Sequence, residues 1–210
     1  MIRFLWVATL LVTVGLLAAP AWASVPYRDS CQVTWGGSNP THYDSCRFIC
    51  PKGDGQNLSV LVRDQFGQPM PGVLVTATFG NAQVVLKSPC QNTTGIDGRA
   101  TLTIYGSVNI LGGNLDIRSS VTVMVLGVII YTNDAIILSP DINQIPPSNG
   151  KVDAQDYSYF RDDWYSIANP RVQVDCHSNF NRDNSTPPPN TYDRVDAQDY
   201  AVFRAHWLHQ

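Results

Sequence analysis

Residues 58–79 read LSVLVRDQFGQPMPGVLVTATF. Leu58, Val60 and Val62 fall on one face of an extended chain, and Val73, Val75, Ala77 and Phe79 repeat the pattern after an interruption. Alternation with a period of two marks half-buried strands. Between them, residues 64–72 (DQFGQPMPG) hold the Gly and Pro signals of a turn, because proline removes a donor from any continuous ladder. Outward from this pair, further strand patterns fall at 83–87, 99–105, 120–126 and 128–138, with no helical period among them. The longest apolar run, 121–131, is broken by Gly127 and is far shorter than a bilayer-spanning helix requires, so it reads as two strands joined by a turn. Several short strands separated by turn signals predict an antiparallel β-sandwich over 57–138, and a mainly β chain with a small α part.

Residues 58–79, followed by TGIDGRATLTI at 94–104, resemble the bacterial Ig-like domains of invasin and intimin type and the carboxypeptidase-regulatory-like sandwiches. The resemblance implies a spacer or adhesion module without catalysis. Asp97 beside Gly98 reads as turn chemistry rather than as a catalytic acid.

Beyond the strands the chain duplicates itself. VDAQDYSYFRDDW at 152–164 returns as VDAQDYAVFRAHW at 195–207, with nine of thirteen positions identical and an offset of 43 (152 to 195). Each copy sets two carboxylates ahead of a helical aromatic pattern: Asp153 and Asp156, then Asp196 and Asp199. Tyr157, Phe160 and Trp164, and likewise Tyr200, Phe203 and Trp207, form a stripe expected to be core. Two such short helices stabilise one another where either alone is marginal in water.

Hard oxygen ligands entering a helix suggest calcium. The EF-hand loop draws on positions 1, 3, 5, 7, 9 and 12, with Gly at 6. Asp141, Asn143, Asn149, Lys151, Asp153 and Asp156 fill those places, with Gly150 at position 6, although residues 144–148 stand where one residue normally does. In the second copy Asn179, Asn181 and Asp183 take the first three places. Residues 184–192 then intervene before Arg194, Asp196 and Asp199 take the last three. Closure entropy rises slowly with loop length, but the insertions shift the early ligands against the late ones. Calcium is expected foremost in the first copy, where position 1 is Asp141 rather than Asn179. The competing reading needs no metal: Asp153 and Asp196 cap the helices and favour the positive end of the helix dipole.

Two interrupted half-EF-hand loops, each followed by a helix with an FR pair, resemble a type I dockerin module over 139–210. The resemblance implies a fold around up to two calcium ions and docking to a cohesin-like domain. It assigns partner contacts to Ala154, Gln155, Arg161 and Asp162 in the first copy, and to Ala197, Gln198, Arg204 and Ala205 in the second. Near-identical halves imply docking by either face.

Residues 1–23 combine Arg3, an apolar stretch and a small-residue A-x-A ending at Ala23, the pattern of a secretory signal peptide; a secreted, extracellular or cell-surface protein is expected. The formal net charge of −3 carries no basic patch, which argues against nucleic acid and leaves protein or carbohydrate partners. Five cysteines in a secreted chain favour disulfides. Cys31 with Cys46 and Cys50 with Cys90 is the expected pairing, pinning a lead-in at 24–56 and leaving Cys176 over. The same oxidising context sets aside a zinc site built on His42, Cys46 and Cys50.

No nucleophile with a base and no paired carboxylates in a cleft stand out, so a non-enzymatic protein is expected. His206 and His209, three apart, could share a helix face, but the sequence offers no third ligand beside them. The reading is a secreted attachment or assembly protein, an Ig-like sandwich joined to a calcium-stabilised dockerin-like helical pair. The alternative is a structural or carbohydrate-binding surface protein whose repeats form a metal-free cap. A role as accessory to a polysaccharide-degrading system shares the docking expectation.

Overall fold

The alternating residues of 58–79 form two strands, as their period requires, but the strands belong to different sheets. The computed structural model describes residues 24–36, 46–109, 117–142, 149–166, 180, 195 and 197–208, with backbone alone at 46 and 163–166. Ten strands run in chain order: β1 (Gln32–Gly36), β2 (Cys46–Phe48), β3 (Asn57–Leu61), β4 (Leu74–Phe79), β5 (Val84–Leu86), β6 (Cys90–Thr93), β7 (Arg99–Thr103), β8 (Gly106–Val108), β9 (Ile117–Val125) and β10 (Val128–Leu138). Two α-helices follow, α1 (Ala154–Ser166) and α2 (Ala197–Ala205). The described chain is therefore mainly β with several sheets and a small helical part.

One sheet has the order β1-β3-β7, a second β2-β10-β9-β4-β6, and a two-stranded piece pairs β5 with β8. Neighbours are antiparallel except β2, which lies parallel to β10 with Cys46 opposite Ile136. The turn at 64–72 is held by Asp64, whose Oδ1 accepts the N–H groups of Phe66 (2.9 Å) and Gln68 (2.8 Å). Leu126 and Gly127, both at positive φ, make the two-residue loop of the β9–β10 hairpin, whose primed turn matches strand twist. Asp97 acts within its turn: its Oδ1 accepts the Arg99 N–H at 3.1 Å.

Along β9 every second residue is buried, from Ile117 through Val121 and Val123 to Val125. These side chains share one core with Leu58, Val60 and Val62 from the other sheet and with Phe160, Phe180 and Phe203 from the repeats. Phe48 is the hinge of that junction, its ring 6.0 Å from Phe180 and 5.0 Å from His206.

The cysteines differ from expectation. Cys31, Cys50 and Cys90 are not disulfide-bonded, so neither the Cys31–Cys46 nor the Cys50–Cys90 bridge is formed. Hydrogen bonds hold the lead-in: β1 pairs along β3, and Cys31 Sγ engages the backbone N–H and carbonyl of Arg63 at 3.4 and 3.5 Å. Cys50 bridges Tyr105, while Cys90 pairs with Ala77 at the edge of the five-stranded sheet. Cys176 and residues 1–23 lie outside the described residues.

Candidate metal-loop and docking site

The VDAQD motif starts α1 through a reciprocal cap. Asp153 Oδ1 accepts the Gln155 N–H (2.9 Å) as an N-cap, and Asp156 Oδ2 accepts the Asp153 N–H (2.8 Å), the return bond of a capping box. Ahead of it, Gly150 sits at φ +69°, the left-handed conformation that position 6 of the loop demands of glycine. Asn149 Oδ1 accepts the Lys151 N–H (2.9 Å), and its Nδ2 donates to Asp153 Oδ2 (2.8 Å). The second half of the first loop is thus closed on itself by its own polar side chains.

Asp156 ties this half to the chain leaving β10, because its Oδ1 accepts the Ile142 N–H at 2.7 Å. It is fully buried, and burial pushes its carboxyl up from 3.8 to about 6 against the pull of the Asp153 and Ile142 N–H groups. Asp141 and Asp199 are fully buried too. Asp199 is the counterpart of Asp156 in the second copy, so the duplication repeats a buried acid as well as a motif. Other counterparts follow: Val152 and Val195, Phe160 and Phe203, and Ile142 and Phe180 at position 2 of each loop are all buried.

Calcium fits this donor set by chemistry. Asp141, Asn149, Asp153 and Asp156 offer hard oxygens. Each Asp156 oxygen spends one lone pair on an N–H and retains another. Asn143, Asn179, Asn181, Asp183, Arg194 and Asp196 lie outside the described residues, so the first half of the second loop is not described.

The aromatic stripes divide. Phe160 and Phe203 stack in the core, whereas Tyr157, Tyr200 and Trp207 are exposed and join Phe203 and Arg204 in lining an open groove of about 490 Å³. This corrects the expectation of an all-core stripe: helices this short, of 13 and 9 residues, do not bury every ring of the stripe against the core. The side chain of Trp164 is not among those described. The residues assigned to docking, Ala154, Gln155, Arg161, Asp162, Ala197, Gln198, Arg204 and Ala205, are all exposed. Arg161 pairs with Asp162 at 3.1 Å, and Ala205 removes that carboxylate from beside Arg204.

Sequence reasoning missed a second cluster. Among the described residues, the three His, Cys or acidic side chains whose ligand atoms lie within 4.8 Å of one another are Cys50, Asp54 and His206. The chain fold thus brings two groups that could join His206 on a metal from about 150 residues away, while His209 lies outside the described residues.

No protein-family model matches the chain, and no curated protein matches it either. Among the described residues no helix is long and apolar enough to cross a membrane.

Proposed function

We propose that the chain is a non-catalytic, secreted attachment protein. In this reading an Ig-like sandwich carries a calcium-stabilised, dockerin-like pair of helices that docks to a cohesin-like domain. The observation that carries the proposal is the complete burial of Asp156 and Asp199 at equivalent places in the two repeats. Burying a carboxylate is costly unless hydrogen bonds and a cation offset the charge, and a duplicated buried acid at position 12 suits a duplicated cation loop.

When bound, calcium supplies the positive charge that lets these acids stay ionised. Asp156 fixes the chain leaving β10 to the start of α1 through Ile142 and Asp153. The Leu208 N–H, donated to the Val152 carbonyl at 2.8 Å, fixes the end of α2 to the same point. Arg161 and Arg204 are thereby held on exposed faces for a protein partner. Folding and docking are linked to the metal.

The test is calorimetric calcium titration of residues 24–210, with thermal unfolding followed with and without chelator. The isolated repeats are the wrong sample, since Phe180 and His206 pack on Phe48 of β2. Up to two bound ions and a raised melting point support the reading. No heat and an unchanged melting point overturn it.

The metal-free cap is favoured by one observation, the pair of hydrogen bonds that Asp153 and Asp156 make at the start of α1, which needs no ion. On that reading the groove beside Tyr157, Tyr200 and Trp207 serves a carbohydrate or another partner.

A further inference from the structure

Two hydrogen-bonded turns meet at the Cys50, Asp54 and His206 cluster. The turn after β2 is closed by the Gly53 N–H on the Cys50 carbonyl (2.9 Å) and the Gln56 N–H on the Phe48 carbonyl (2.8 Å), and so presents Cys50 and Asp54 together. His206 follows α2 in a turn held by its own N–H on the Phe203 carbonyl (3.1 Å), with its imidazole packed on Phe48.

The His206 Nδ1 to Asp54 Oδ1 separation is 3.4 Å, long for a charge-assisted hydrogen bond. It matches the edge of a tetrahedron around an ion with bonds of about 2.0–2.1 Å, which is about 3.3–3.4 Å. Thiol, imidazole and carboxylate together are the donor types of zinc rather than of calcium. Cys50 is fully buried, His206 mostly so, and Asp54 lies at the rim with 36% of its side chain exposed, which leaves an entry path.

We propose that Cys50, Asp54 and His206 bind a zinc-class divalent transition-metal ion that clamps the end of α2 to the turn after β2. Three protein ligands leave a fourth position for water. On binding, the Cys50 S–H bond breaks as the sulfur–metal bond forms, the proton leaves to solvent, and the oxidation state of the metal does not change. A nucleophilic role for Cys50 fits less well. Burial pushes its thiol up, the neighbouring Asp54 adds to this, and a buried neutral thiol is a poor nucleophile. A metal ion overcomes the same penalty by supplying the opposing charge.

The experiment uses chelator-treated residues 24–210 titrated with Co²⁺ as a spectroscopic stand-in for zinc, followed by Zn²⁺. The expected result is a thiolate-to-cobalt charge-transfer band saturating at one equivalent and bleached by Zn²⁺. The band should be lost in Cys50→Ser, retained in Cys90→Ser, and require at least about tenfold more cobalt in Asp54→Asn or His206→Gln. Because Cys50 is buried and its variant is liable to misfold, the rim variant Asp54→Asn gives an independent reading. Zn²⁺ should raise the melting temperature of the parent chain and not of this variant. No charge-transfer band, a band that survives in Cys50→Ser, or equal zinc stabilisation of Asp54→Asn overturns the proposal. Calcium binding by the repeats is a separate outcome, since none of these variants alters Asp141, Asp153 or Asp156.

Discussion

Phe160 and Phe203, counterparts in the two repeats, stack with ring centroids 5.1 Å apart at 24°. Around them the contacts are mirrored: Tyr157 meets Phe203 at 6.1 Å and 41°, and Tyr200 meets Phe160 at 6.0 Å and 40°. The duplication has therefore produced a local two-fold relation, with each tyrosine laid on the other copy's phenylalanine.

Truncating the stacked pair should be severe. Phe160→Ala or Phe203→Ala is expected to cost about 3–5 kcal/mol, because each ring is fully enclosed. Tyr157→Ala and Tyr200→Ala, at positions 39% and 41% exposed, should cost less. Denaturant unfolding of the four variants checks the order, and similar losses within each pair would bear out the two-fold relation.

Asp156 gives a pH dependence with a defined sign. Its carboxyl is raised by burial from 3.8 to about 6 in the calcium-free fold, so the native state holds a proton that the unfolded chain has released between those values. Calcium-free stability should therefore fall as pH rises through that window, by about 3 kcal/mol for a shift of about two units. Thermal unfolding in chelator from pH 4 to 7 measures it, and Asp156→Asn should remove that component of the slope. With calcium present the sign reverses, because protons then compete with the ion.

The β9–β10 hairpin contains a correctable strain. Leu126 is 62% exposed and held at φ +49°, where a leucine is disfavoured by about 1–2 kcal/mol and where primed turns prefer asparagine. Leu126→Asn should raise stability by about 0.5–1 kcal/mol, read as a higher melting temperature with no change in the calcium titration.

Docking should depend on exposed positions that stability ignores. Charge reversal at Arg161 and Arg204 together should abolish binding to a cohesin-like partner, while either change alone leaves most of it if the two faces are interchangeable. Pull-down with purified cohesin domains, alongside melting curves that stay within a few degrees of the parent, checks this. Trp207→Ala distinguishes the alternative, since it should weaken a carbohydrate ligand held in the aromatic groove and leave cohesin binding intact.

The strand periods at 58–62 and 73–79, the hairpin centred on Gly127, and the two helix starts at the VDAQD motifs were all legible from residue order, because each depends on neighbours a few positions away. The turn and cap at 149–156 were legible for the same reason: Gly150 takes its left-handed turn and Asp153 caps its helix through local hydrogen bonds. Long-range pairing decided the rest. The parallel register of β2 on β10 brings Phe48 and Cys50 beside the repeats, and helix packing leaves Tyr157, Tyr200 and Trp207 facing a groove. So the sequence by itself determined the strands with a period of two, the two helix starts and which residues recur, whereas β1, β2, β6 and β8 were set by pairing with distant strands. Only the tertiary structure decided that Cys50, Asp54 and His206 meet, because no local period records which distant turns a closed core will press together.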